Sequence, residues 1–133
     1  MLISGKKRQH FLAIVVAFFG GMTITSAGAV LSTNTGATLA GDAVPFVVWF
    51  NFLAGFFYIA AALGVWRGAY WGVFLPAGLF LAYLIMDGFL FQHILSGGAY
   101  ESRTVYAMAF RTVLWLFITV TTYRHAQRST LSA

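Results

Sequence analysis

Four apolar stretches of nearly equal length, residues 11–31, 46–66, 71–91 and 105–123, take up most of this chain, and each is long enough to cross a bilayer as a helix. A crossing needs about 20 mostly apolar residues, because the hydrocarbon layer is roughly 30 Å thick and a helix rises about 1.5 Å per residue. In a chain of 133 residues that is 60% hydrophobic and 8% charged, four crossings leave only loops and tails. The expected architecture is all-α, a polytopic transmembrane four-helix bundle forming one domain over residues 1–133. There is no cysteine, which removes disulfides, thiolate metal sites and thiol redox chemistry together.

The formal charge of +5 invites a nucleic-acid reading, but its distribution speaks against one. Lys6, Lys7 and Arg8 precede the first span, Arg67 lies in the second connection, and Arg124 and Arg128 follow the fourth span. These positions share one side of the membrane, while Asp42, Asp87 and Glu101 lie toward the other. The positive-inside rule then places both termini in the cytoplasm, in a protein expected in a bacterial inner membrane with the lipid bilayer as its first partner. Lys6-Lys7-Arg8, the apolar run from Phe11 and Ala27-Gly28-Ala29 together resemble a secretory signal with its cleavage site. The run continues through Val30 and Leu31 to a full crossing, so a retained helix is expected.

The connections differ in kind. Residues 32–45 are rich in Ser, Thr, Asn and Gly and read as a turn and linker that folds over the bundle mouth, with Pro45 suited to the first turn of the next span. The link Arg67-Gly68-Ala69-Tyr70 is tight enough to make the second and third spans a helical hairpin. Small residues, Ala17, Gly20 and Gly21 in the first span and Ala60 and Gly64 in the second, offer faces for close helix approach. Pro76, beside Gly78 in the third span, predicts a kink.

Function, where it is readable, lies in polar residues that stay within the spans. Arg111 is the main anomaly, since a charge at that depth costs roughly 2.5 to 3.5 kcal/mol on insertion scales. Asp87, Asn51, Thr25 and Ser26 fall about 6 to 10 Å from the outer ends of their spans, in the same layer. An interior ion pair between Asp87 and Arg111 is expected, with Asn51 and the first-span hydroxyls completing its hydrogen bonds. Such a cluster either locks the bundle or forms the base of an outward-opening pocket for a small ligand, ion or proton.

Residues 92–104 form the second dense segment. His93, Tyr100, Glu101 and Arg103 stand close together there and are candidates to line an entrance. His93 and Glu101 alone fall short of a zinc or copper site, which takes three or four ligands. A plainer reading has His93 capping the third span and Glu101 pairing with Arg103 or meeting the dipole at the start of the fourth. His10 and His125 flank span ends rather than entering the spans, unlike haem ligands in a bundle. No nucleophile stands beside a base and no glycine-rich phosphate loop is present, so neither an enzyme nor a cofactor is expected.

In length, span count and inferred topology the chain is similar to small bacterial four-span families such as the DoxX-like proteins and the small multidrug transporters. The transporter resemblance implies a glutamate in the first span, and residues 11–31 contain no acid. That departure argues against proton-coupled drug export, and no residue role is carried over from either family. The expectation is a non-enzymatic accessory or structural subunit that packs against other membrane subunits or copies of itself. The alternative is a small transporter or ligand-binding protein with a pocket built from Asn51, Asp87, Arg111, His93 and Glu101.

Overall fold

The computed structural model describes residues 5–131, and every element in that range is helical: α1 Gly5–Ser32, α2 Asn34–Ala40, α3 Pro45–Arg67, α4 Trp71–Leu95 and α5 Ser102–Leu131. All but α2 are long and apolar enough to cross a membrane, which marks the chain as an integral membrane protein. Each runs past the expected span limits, because the flanking residues include no helix breaker until Thr33, Gly68 and Gly97. The ends of the domain assigned over 1–133, residues 1–4 and 132–133, lie outside the described residues.

One connection differs from its expectation. The 32–45 segment is not a plain linker, since it contains α2. Thr33 sits in extended conformation ahead of it, and its side chain accepts the Gly36 amide at 2.9 Å. This is the N-cap arrangement, in which a hydroxyl satisfies an amide that has no partner within the helix. Gly41, at φ 62°, ends α2 in a conformation that only glycine adopts without strain. Pro45 stands in the first turn of α3, as its missing amide hydrogen favours.

At the opposite end of the bundle, Gly68 at φ 65° returns its amide to the Gly64 and Val65 carbonyls, and α4 starts at Trp71. Gly64 and Gly72 meet backbone to backbone. A Cβ added to Gly72 would stand 2.6 Å from the Gly64 carbonyl, so the hairpin requires glycine at this crossing. The N-terminal part of α1 closes over the same end, where Gln9 Nε2 donates to the Val65 and Trp66 carbonyls and His10 stacks on Trp66 with ring centroids 3.9 Å apart. The Trp66 carbonyl at the end of α3 thereby gains a partner from a second helix.

The long helices pack in the order α1, α3, α4, α5, and α5 only grazes α1. The ring they form is therefore incomplete along the seam between the first helix and the last. Just 22% to 33% of the most apolar window of each long helix is buried, while Phe11, Phe18, Trp49, Phe57, Phe74 and Phe117 are all exposed. Such an apolar exterior is stable only against lipid. The interior is closed by Tyr58, Tyr83, Trp115, Met108 and Ile118 from α3, α4 and α5. Gly20 of α1 lets the Tyr58 and Ile59 side chains come so close that a Cβ there would sit 2.9 and 2.8 Å from them. Small residues in α1 and α3 are thus used for close packing within the chain, as lipid-embedded helices require.

Candidate functional site

Two polar systems occupy the half of the bundle nearer α2. The first is centred on two buried tyrosines. The Tyr58 and Tyr83 hydroxyls are 2.5 Å apart, Tyr83 donates to Asn51 Oδ1 at 2.9 Å, and the Asn51 amide reaches Met108 Sδ at 3.8 Å. This chain ties α3, α4 and α5 together over about two helical turns. Both tyrosines have no exposed surface. A phenol buried among apolar neighbours keeps a hydrogen-bond partner because an unmade bond there is costly. The Trp115 ring meets Tyr58 edge-on with centroids 4.6 Å apart, and its buried Nε1 approaches the Tyr58 hydroxyl without reaching hydrogen-bond geometry.

The expected ion pair between Asp87 and Arg111 is not formed. Asp87 Oδ2 instead accepts from the Thr112 hydroxyl at 2.6 Å, while Oδ1 is buried with no hydrogen-bond partner. The reason is angular. Neighbouring residues on a helix point about 100° apart, so matching depth along the axes does not make two side chains meet. Thr112 is the α5 residue turned toward α4. Arg111 is half-buried on another side, beside the Tyr58 hydroxyl and within electrostatic reach of Tyr83.

Arg111 belongs to the second system, a cavity of about 230 Å³ between α1, α3 and α5. Its deeper wall is Thr23, Asn51, Met108 and Arg111, and its rim includes Ser26, Glu101, Arg103 and Thr104. Asp87, His93 and Thr25 do not line it. Thr25, expected in the interior, is exposed and returns its hydroxyl to the Gly21 carbonyl at 2.8 Å, whereas Thr23 is the buried α1 hydroxyl. Ser26 stays exposed at the rim.

The loop residues act as fasteners. Glu101 does not pair with Arg103. Its Oε1 accepts the Asp42 amide at 2.9 Å, and Arg103 Nη2 donates to the Leu39 carbonyl at 3.2 Å. Through these two bonds the start of α5 holds the far end of α2, which itself begins where α1 stops. His93 Nε2 lies 2.9 Å from the Ala99 carbonyl, closing the turn after α4, and its ring meets Phe46 edge-on at 5.8 Å. Tyr100 is exposed beside them. Among the described residues no group of three or more His, Cys, Asp or Glu could hold a metal.

Sequence reasoning missed Tyr58, Tyr83, Thr112 and Thr23. The first two carried a readable signal, since Tyr58 lies two turns after Asn51 and Tyr83 one turn before Asp87, each pair on a single helix face. Thr112 carried none beyond adjacency to Arg111, and Thr23 carried none. The chain matches no protein-family model, no curated protein and no solved structure.

Proposed function

We propose that this is a small, non-enzymatic ligand-binding membrane protein whose binding site is the cavity between α1, α3 and α5. The observation that carries the reading is the placement of Arg111. It is a cation in the middle part of a span that faces a cavity, and no carboxylate pairs with it among the described residues. A purely structural arginine would be expected to meet an acid, and Asp87, on the next helix, is bonded to Thr112 instead. Around the guanidinium, Thr23, Asn51 and Ser26 supply neutral donors and acceptors, the usual means of orienting a bound molecule.

Lys6, Lys7, Arg8, Arg67 and Arg124 support a cytoplasmic position for the hairpin end, with both termini inside and the cavity in the outer leaflet of a bacterial inner membrane. The test is extraction from native membranes into a mild detergent, followed by mass spectrometry of the intact complex. A small molecule retained by the wild type and lost from Ser26→Trp, which fills the cavity without removing a hydrogen bond, supports the reading. The same bound species in both proteins overturns it.

A second reading, an accessory subunit of a larger or homo-oligomeric complex, is favoured by one observation. Gly21, Gly78 and Gly88 all face open space, so their surfaces stay flat enough to admit another helix. A monodisperse monomer with no co-purifying chain at native expression counts against it.

A further inference from the structure

The cavity's charge, size and access point to a class of ligand, an inference that rests on the binding role just given. We infer that it houses the anionic headgroup of a single-chain amphiphile, phosphate- or carboxylate-headed, whose alkyl tail leaves between α1 and α5 and lies along α1.

Charge comes first. Two guanidiniums, Arg111 and Arg103, and one carboxylate, Glu101, line the space. Glu101 is bonded to the Asp42 amide and Arg103 to the Leu39 carbonyl, both neutral partners, so two cations stand against one anion. The cavity is net positive; Arg103 is exposed at its rim, and the half-buried Arg111 guanidinium is suited to charge-assisted hydrogen bonds with phosphate or carboxylate.

Size comes second. A volume of about 230 Å³, open on one side, is below what whole drug-sized ligands fill. A headgroup fits, but its tail does not.

Access decides where the tail goes. α2 crosses from the end of α1 to the start of α5 and is fastened there by Glu101 and Arg103, so the axial outlet is bridged. The two helices beneath it keep their backbones apart and meet through Phe19 and Phe110, whose ring centroids are 6.0 Å apart, so the seam opens to the lipid above that contact. Ser26 lies at the boundary, because it lines both the cavity and a groove of about 390 Å³ on α1 formed by Ala17, Phe18, Gly21, Met22 and Thr25. From Ser26 to Ala17 the groove descends about 14 Å toward the bilayer centre by helical rise. Its floor is open because nothing stands within 4 Å of a Cβ built on Gly21. A polar head placed in the cavity therefore has an apolar trough for its chain.

The test uses full-length protein in nanodiscs of zwitterionic lipid, titrated with dodecyl phosphate, inorganic phosphate or dodecyl maltoside and read by thermal shift and intrinsic tryptophan fluorescence. Dodecyl phosphate should bind and raise Tm. Arg111→Gln should weaken it about tenfold or more, Arg111→Lys less, and Gly21→Leu should weaken it without altering the Tm of the unliganded protein. Equal binding of inorganic phosphate overturns the tail, and equal binding of dodecyl maltoside overturns the anionic head. No response to any probe, while a co-purified molecule is still lost from Ser26→Trp, overturns this ligand class but leaves the cavity's binding role standing. If Arg111→Gln fails to fold, Gly21→Leu decides: unchanged affinity there overturns the proposal.

Discussion

The two sides of this bundle handle polarity in opposite ways. Where α3, α4 and α5 meet, tyrosine, asparagine and threonine side chains are paired across helices, and the hairpin closes glycine on glycine. Along the seam between α1 and α5 the backbones stay apart, contact is made through Phe19 and Phe110, and a guanidinium faces a cavity. In lipid there is no hydrophobic drive to bring helices together, so association rests on close packing and interhelical hydrogen bonds. The closed side has both. The open side has less of each: Phe19 meets Phe110 across it, and bonds from Glu101 and Arg103 to the backbone around α2 hold its upper end. A small membrane protein can in this way obtain rigidity from one half and accessibility from the other.

The largest effect should come from breaking the closed side at its tightest point. Gly72→Leu forces a side chain into the Gly64 backbone, and overpacking of this kind costs about 3 kcal/mol or more where backbone cannot move. Loss of the monodisperse folded peak in size-exclusion chromatography is the expected outcome. Adjacent glycines on α1 give a sharper contrast. Gly20→Leu should destabilise strongly because Tyr58 and Ile59 crowd that position, whereas Gly21→Leu should leave the unliganded Tm within error.

Tyr83→Phe should be next in magnitude. It strands Asn51 Oδ1 and the Tyr58 hydroxyl at once, and a loss of about 1 to 2 kcal/mol is expected in reversible unfolding from mixed micelles. A third measurement separates the two candidate partners of Asp87. Thr112→Val combined with Asp87→Asn should show a coupling energy of about 0.5 to 1.5 kcal/mol, while Arg111→Gln combined with Asp87→Asn should be additive within about 0.5 kcal/mol. The reverse pattern would restore the ion pair and remove the free cation from the cavity. The smallest effect belongs to the fastening of α2. Glu101→Gln should change global stability by less than about 1 kcal/mol yet speed amide exchange at Asp42, as followed by hydrogen–deuterium exchange mass spectrometry.

Much of the fold was legible. Hydropathy located four helices, Pro45 marked a helix start, and Arg67-Gly68-Ala69-Tyr70 announced the hairpin. The α2 helix escaped because a Ser-, Thr- and Gly-rich stretch reads as linker, although Thr33 is a helix N-cap residue three positions before Gly36. The site was legible only in depth. Asn51, Arg111, Ser26, Glu101 and Arg103 do gather at one cavity, but Asp87 and His93 were placed with them on level alone and turn elsewhere. The mid-span tyrosines were overlooked because aromatic residues in membrane helices commonly face lipid or mark interfaces, and only the hydroxyl distinguishes Tyr58 and Tyr83 from the phenylalanines around them.

Span number, span length and the separation of basic from acidic ends follow from the sequence by itself, because each depends on how a local stretch partitions between water and hydrocarbon. The rotation of each helix about its axis does not. A turn of about 100° per residue exchanges Thr112 for Arg111 opposite Asp87. That angle is set by contacts between distant segments, Trp115 against Tyr58 and Met108 against Asn51. Only tertiary packing could decide that the carboxylate would be enclosed and the guanidinium left facing an open seam.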